Sequence, residues 1–443
     1  MDVMAASTGW ARSPGWRAFL LWTILIAAVG TALSLLAAAY TRPPGLLLDE
    51  NYYYPLAEGL AKGIYQDGYI IRPPLYPLFL AAVFKVFGTG FRPALVISSL
   101  LRGLLIAGIA GLGSRYVSRR AGLIGALLVT IYPMLVFTYT RFLTEIVYIP
   151  LFVLSFWTIE RAAQSLSARD SLLAGLVAGI SALARSTSLF FTIVVACWFA
   201  AKQSPAGRFS RRNLIAAAIL AGGMLAAISP WTARNAVVHK ALILVDNSSA
   251  YNLWLITSGK PVKDATQEWE SWGSQAERQH EGYARWLESL RKDPAFHFKR
   301  MGIVIPKLFD PRSQPDTYSL SMVRRGDTVV EKRALKDILE VLIPVLFWLV
   351  SLGGLAGLIL MEHNAIRRNL VLITVIYFIG LHAMTLARPR FLLPMEMVLA
   401  IYAGALIDGG LSRLGLTRQG RPWRWSPASR SRSANPEPPL PSG

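Results

Sequence analysis

Apolar and polar positions alternate along this chain on the scale of whole helices rather than of single residues. Apolar runs occupy residues 18–40, 94–113, 121–139, 145–159, 171–184, 189–201, 213–231, 340–361, 369–386 and 391–408. Most approach the roughly 20 residues a helix needs to cross a hydrocarbon core. They predict an all-α polytopic membrane protein with about ten transmembrane helices. Two of the runs, 171–184 and 189–201, are short and flank Arg185-Ser186-Thr187-Ser188, so they either cross twice or dip as a hairpin. Residues 75–88 are also apolar, but Pro73, Pro74, Pro77 and Lys85 predict a helix lying along the interface.

Polar stretches divide these runs. Residues 1–231 form a transmembrane module whose first long loop, 41–92, carries adjacent acids and a helix starting at Glu50. Residues 232–339 form the long polar insertion, with helix predicted over Asp264 to Lys292. A second, membrane-surface helix is predicted over Phe296 to Phe309, where Met301, Val304, Ile305 and Leu308 recur at helical spacing, and Arg312 to Asp327 reads as loop. Residues 340–409 return to membrane helices, and 410–443, with six prolines among serines and arginines, read as a disordered tail.

Charge orients this plan. With the expected spans, the short connections on one side carry eleven Lys or Arg residues (Arg115, Arg119 and Arg120 among them) and those on the other carry four, Arg141, Arg185, Arg388 and Arg390. The basic side is cytoplasmic by the positive-inside rule. Both termini then lie in the cytoplasm, 41–92 and 232–339 lie outside, and the chain is a multi-pass protein of the inner (plasma) membrane. The formal charge of +20 would suggest nucleic acid in a soluble domain. Here the arginines sit in span connections and the tail, which fits topology signals and anionic lipid, and no nucleic-acid partner is expected. A cleavable signal peptide is not expected either, because the first apolar run is too long. Cys197 is the only cysteine, so no internal disulfide can form.

The first loop, from Leu46 to Tyr76, holds the densest chemistry. Carboxylates at the edge of the hydrocarbon layer are costly to desolvate unless cations or a substrate compensate them. Asp49 and Glu50 are followed by Tyr52, Tyr53 and Tyr54, then by Arg72-Pro73-Pro74, which brings a base, stacking surfaces and an anion-binding cation into one loop. The plainer reading is that Asp49 caps the helix beginning at Glu50. Arg102 lies inside the second span and is a functional suspect because a cation there must face protein or water.

The loop resembles the first external loop of GT-C glycosyltransferases, in particular the protein O-mannosyltransferase-like family and its aminoarabinose-transferring relatives. The resemblance rests on Asp49-Glu50, Tyr53, Ala57, Gly63 and Arg72-Pro73-Pro74-Leu75-Tyr76 with Phe87-Gly88. It continues, in the family's order, through Thr140-Arg141 with Thr144-Glu145, Leu183-Ala184-Arg185-Ser186-Thr187, Pro230-Trp231-Thr232-Ala233-Arg234-Asn235 and Arg390-Phe391-Leu392-Leu393-Pro394. It implies a GT-C-like fold and transfer of a sugar from a polyprenyl-phosphate carrier to a hydroxyl acceptor (protein, lipid or polysaccharide) on the external face, with inversion. Asp49 takes the place of the family's first acid and so of the base, with Glu50 as alternate. Arg72 and Arg234 take the places of cations implicated in carrier-phosphate binding. Tyr53, Arg141, Glu145, Arg185, Asn235 and Arg390 are further expected substrate-binding residues. An Arg141–Glu145 pair four residues apart on one helix is the plainer alternative for those two.

No cofactor is expected. His239, His280, His297, His363 and His382 show no paired metal-ligand spacing, and no Walker A, GxGxxG or Asp-x-Asp motif is present, which disfavours a nucleotide-sugar donor. His239 and His382 fall near the external ends of spans and are possible acceptor contacts. The alternative class, a transporter or lipid flippase, would show related halves and polar breaks in mid-span. Here no repeat is visible and the polar features gather at external ends.

Overall fold

Residues 15–41, 46, 49–68, 70–202, 207–313, 315–325 and 328–414 are described in a computed structural model. The expected disordered segment beyond 414 lies outside the described residues. Among the described residues the first element is α1 (Trp16–Thr41), and the first loop folds as α2 (Glu50–Ala61) and α3 (Leu75–Phe87). Then come α4 (Phe91–Tyr116), α5 (Arg119–Ile131), α6 (Pro133–Tyr139), α7 (Glu145–Ser165), α8 (Ala168–Ala184), α9 (Thr187–Ala201) and α10 (Arg211–His239). The insertion contributes α11 (Ser248–Ser258), α12 (Val262–Ser271), α13 (Gln275–Lys292), α14 (Pro294–Leu308), β1 (Met322–Arg325) and β2 (Thr328–Glu331). Finally, α15 (Arg333–Trp348) and α16 (Gly354–Met361), joined by a π-type turn, precede α17 (Ala365–Met384) and α18 (Leu393–Arg413).

Among the described residues, seven helical segments are long and apolar enough to cross a membrane, and the bent pair α5–α6 makes an eighth. The count of about ten is not reached because α8 and α9 have 17 and 15 residues. Such helices rise about 26 and 22 Å against a hydrocarbon core of about 30 Å. The chain is nonetheless a polytopic, predominantly helical membrane protein. Exposed Leu20, Leu21, Trp22, Ile24 and Leu25 on α1 are suited to lipid.

Helix limits differ from the hydropathy pattern where polar residues continue a helix beyond the apolar run. α10 passes residue 231 and ends at His239, and α15 starts at Arg333. The helix expected over Asp264 to Lys292 breaks at Gly273, whose φ of +79° suits glycine, and restarts with a Ser274–Glu277 capping box. Arg312 to Asp327 is not simply loop. It contains 3₁₀ turns and β1, paired antiparallel with β2 so that Val323 faces Val330, a strand that the β-branched run Thr328-Val329-Val330 favours.

Helices approach closely where side chains are missing. A Cβ on Gly175 or Gly179 of α8 would collide with the backbone of α10 at Leu220 and Met224, and one on Gly404 of α18 with Ala121 and Gly125 of α5. Small residues at such contacts let dispersion replace the hydrophobic drive that lipid cannot supply.

Arg102 proves to be a strut. Pro133 has no N–H, so the Val129 carbonyl loses its partner one turn on, and α5 and α6 bend by 61°. The fully buried Arg102 guanidinium donates to the Val129 and Thr130 carbonyls (3.4 and 2.5 Å) and to Gly30 O and Ser34 Oγ on α1 (2.5 and 2.8 Å). Its charge is thus absorbed by backbone acceptors left open at a helix break.

The two ends of the bundle differ in chemistry. Buried Glu160, near the C-terminus of α7, pairs with Arg367 at the start of α17 (3.1 Å), and Arg367 also meets Glu362 (3.0 Å). At this end Arg212 donates to Ser165 O and Ser118 to Asp408. The opposite end holds the start of α7 and α18 and the finish of α10 and α17, and there the first loop meets the insertion.

Candidate active site

Asp49 occupies the N-cap position of α2, yet its side chain makes no capping hydrogen bond. It turns instead to Arg390, with Oδ2 at 3.1 Å from Nη2. Capping therefore does not account for this acid. Along α2, Glu50, Tyr53, Tyr54 and Ala57 are buried, a one-face pattern that seats the helix on the bundle. Glu50 is fully enclosed and accepts the Phe142 N–H at 2.8 Å, tying the first loop to the link between α6 and α7. Tyr53 packs edge-on against Tyr76 at 5.3 Å, and burial pushes its phenol up to about 12, with Arg72 opposing and Asp49, Glu145 and Arg185 close enough to act on it. Tyr53 is thus the apolar floor of a charged group drawn from four separate segments.

Arg390 lies on a 3₁₀ turn, Pro389–Leu392, between α17 and α18, and is 4% exposed. Its Nε stands 3.9 Å from Glu145 Oε1, the same oxygen that accepts Arg185 Nη1 at 2.8 Å. Asp49, Arg390, Glu145 and Arg185 thus form an alternating row of charge. Among the described residues, Arg390 Nε and Nη1 are buried without hydrogen-bond partners. The turn carrying Arg390 is held from the insertion, because Arg300 of α14 donates to the Ala383 and Thr385 carbonyls at 3.2 and 2.7 Å. Buried His382 faces Phe391 at 5.0 Å, and Arg185 lies over the same ring at 4.6 Å.

The alternative of an Arg141–Glu145 pair on one helix does not hold, since α7 begins at Glu145 and Arg141 precedes it. Arg141 is buried, lies over Phe137 at 5.3 Å and reaches Ser319 Oγ at 3.2 Å.

Arg72 lies over the rings of Tyr52 and Tyr53, at 4.8 and 5.7 Å. Arg234 belongs to a neighbouring group. It pairs with Asp67 of the first loop at 2.9 Å, is 3.1 Å from His239, and lies over Tyr65 and Trp231 at 4.5 and 4.9 Å. His239 meets the same Asp67 oxygen at 2.9 Å. Burial, reinforced by Asp67, pushes the Tyr65 phenol upward. Asn235 is fully buried and donates to Ile243 O at 3.0 Å, fastening the chain that returns from α10.

Asp67 and Asp246 were not singled out by sequence reasoning. Each is a lone acid in an unremarkable local context, and only the loop pairings reveal that it faces a cation. Among the described residues, no group of three His, Cys, Asp or Glu side chains is placed to hold a metal ion.

The fold is that of the GT-C glycosyltransferases, carried by a polytopic helical membrane chain. Residues 71–233, somewhat over a third of the chain, match the family model described as dolichyl-phosphate-mannose-protein mannosyltransferase. The Archaeoglobus fulgidus oligosaccharyltransferase tethered to an acceptor peptide is similar with a TM-score of 0.54 at 15% identity, over 92% of this chain and 51% of that one. AglB from the same organism, in complex with an inhibitory peptide and a dolichol-phosphate, is similar with a TM-score of 0.54 at 16% identity, over 91% and 52%. ArnT from Cupriavidus metallidurans bound to undecaprenyl phosphate is more distant, with a TM-score of 0.41 at 13% identity, over 89% and 80%. The chain spans about half the length of the oligosaccharyltransferases it matches. No curated protein matches it in sequence.

Proposed function

We propose that the chain transfers a sugar from a polyprenyl-phosphate carrier to a hydroxyl acceptor at the outer surface of the membrane, with Asp49 as the base. The observation that carries this reading is the Asp49–Arg390–Glu145–Arg185 row at one end of the bundle. A base that caps no helix, beside an arginine with open N–H groups, suits a reaction in which an acid accepts a proton while an anion departs.

In this mechanism the acceptor oxygen attacks the anomeric carbon, the new C–O bond forms as the bond to the carrier phosphate breaks, and configuration inverts. The hydroxyl proton goes to Asp49, which Arg390 holds in orientation. The leaving phosphate takes its electron pair to the arginines. Arg390 is the nearest to Asp49, with Arg72 and Arg185 beside it and Arg234, on α10, in the neighbouring group around Asp67. Arg suits phosphate because its planar fork offers paired donors. Glu145 keeps Arg185 and Arg390 in place, and Glu50 holds the loop.

The dolichol-phosphate bound by AglB agrees with a lipid-linked donor. The arginine-rich connections at the opposite end support placing this site outside the cytoplasm. The test is a mass-spectrometric comparison of surface glycans, glycolipids and glycoproteins in cells with and without the protein, and with Asp49→Asn. Loss of one glycan species in both altered strains supports the reading, and identical profiles in all three strains refute it.

A further inference from the structure

Asp246 is 7% exposed and lies outside the membrane helices, in the segment that returns from α10. Its Oδ1 accepts the Ser248 N–H and hydroxyl at 3.0 and 2.6 Å, which closes a local turn at the start of α11. Its Oδ2 is buried and, among the described residues, no donor meets it in full hydrogen-bond geometry. The polar groups that act on it from other elements are the Ser186 hydroxyl, next to Arg185, the Arg72 guanidinium, and the Tyr283 phenol of α13.

This position is built rather than incidental. The neighbouring Asn247 is fully buried, accepts the Ile71 N–H at 2.8 Å and returns its own N–H to Ile71 O at 3.4 Å, a two-way pairing that fixes Asp246 beside Arg72. Gln275 extends the clamp by hydrogen-bonding both Asn247 (2.6 Å) and Gly68 O (2.8 Å). Burial pushes the Asp246 carboxyl up, so the group is costly to keep charged until donors reach it. A turn-forming role explains Oδ1 alone, because an asparagine would close the same turn without a buried charge.

We propose that Asp246, with Ser186 and Arg72, forms the subsite that receives the hydroxyl groups of the sugar on its lipid carrier. A carboxylate oxygen is an acceptor without donors, and a sugar ring is the partner of this active site that offers several hydroxyl donors. Arg72 is placed to meet the adjoining phosphate, so Asp246 and Arg72 would read the two sides of the glycosyl–phosphate bond. The inference rests on the lipid-linked donor proposed above and adds what recognises its sugar.

The test uses the full-length protein in nanodiscs, and measures the affinity for undecaprenyl phosphate and for the same lipid phosphate bearing mannose, glucose or galactose. The wild type is expected to prefer one sugar-bearing lipid over the bare lipid. Asp246→Asn, which retains the turn, is expected to lower affinity for that lipid about 10- to 100-fold, the size of one charge-assisted hydrogen bond, and to leave the bare lipid's affinity unchanged. Ser186→Ala is the second, milder variant, expected to reduce the same preference. Equal loss for both lipids in Asp246→Asn, or no loss for either, overturns the sugar subsite while leaving the lipid-linked donor standing. A wild type that binds none of these lipids overturns the donor reading and the subsite together.

Discussion

The Asp49–Arg390 pair makes the sharpest prediction, because it joins the first loop to the last membrane helix across 341 residues of sequence. At 3.1 Å, with an effective dielectric of about 20, the Coulomb attraction would be about 5 kcal/mol. Most of this is not realised. Asp49 is 37% exposed, so water screens it, while the 5%-exposed Arg390 has already lost its hydration. The pair is expected to retain about 1–2 kcal/mol of coupling, between a surface pair and a buried one. A double-mutant cycle of Asp49→Asn, Arg390→Gln and the double variant measures this directly. Equilibrium unfolding in mixed micelles, followed by tryptophan fluorescence, requires no knowledge of the substrate. Arg390→Gln should be the more damaging single change, because it also removes the charge near buried Glu145. In turnover the effects should be strongly non-additive, since Arg390→Gln has little left to remove once the base is gone. Coupling within about 0.3 kcal/mol of zero in unfolding would mean that the pair carries no energy, and the reasoning that Arg390 orients the base would fail.

Asp49→Asn should lower transfer by about 10²- to 10⁴-fold, the usual worth of a general base, and Glu50→Gln should be milder in turnover. Turnover of purified protein with a lipid-linked donor decides between them, and an inactive Glu50→Gln beside an active Asp49→Asn would reverse the roles. Arg102→Met should destabilise the fold by about 3–5 kcal/mol without altering donor affinity, because it strands buried carbonyls at the α5–α6 break, and an unchanged unfolding midpoint would refute the strut. Asp246→Asn should raise stability at neutral pH. A carboxyl whose folded pKa is raised binds more protons folded than unfolded, so stability falls as pH climbs from the ordinary Asp range near 3.9 through the raised value, and removing the acid removes that fall. Wild type and variant should converge when melted near pH 3.5, and a gap independent of pH would contradict the raised pKa. In a Cys197→Ser background, single cysteines at exposed Asn51 and Ser274 should both be labelled from outside intact cells, and protection of either refutes the orientation.

Hydrophobic periodicity alone determined that this is a helical membrane protein, since runs such as 18–40 and 391–408 admit no other structure in lipid. It also anticipated the helices of the first loop, because Glu50 opens one and the apolar run at 75–88 forms the other. It did not settle α8 and α9, where the length of an apolar run is too close to the thickness of the bilayer to decide a crossing. Nor could it assign Arg102, whose partners are carbonyls freed by a proline on another helix. Asp49, Arg72, Glu145, Arg185 and Arg390 were visible as residue types in family order. Their arrangement was not visible, because Asp49 and Arg390 meet only when α2 packs under the turn between α17 and α18. Arg141 and Glu145 show the same limit from the other side, for spacing of four suggested a pair and the helix start at Glu145 dissolved it. Asp67 and Asp246 had no sequence signal, as a lone acid in a loop becomes distinctive only when folding buries it beside a cation. Local pattern determines which segments enter the membrane, because transfer of apolar side chains is a property of each segment by itself. Which charges face one another is decided by packing between segments distant in sequence, and that arrangement exists only in the folded chain.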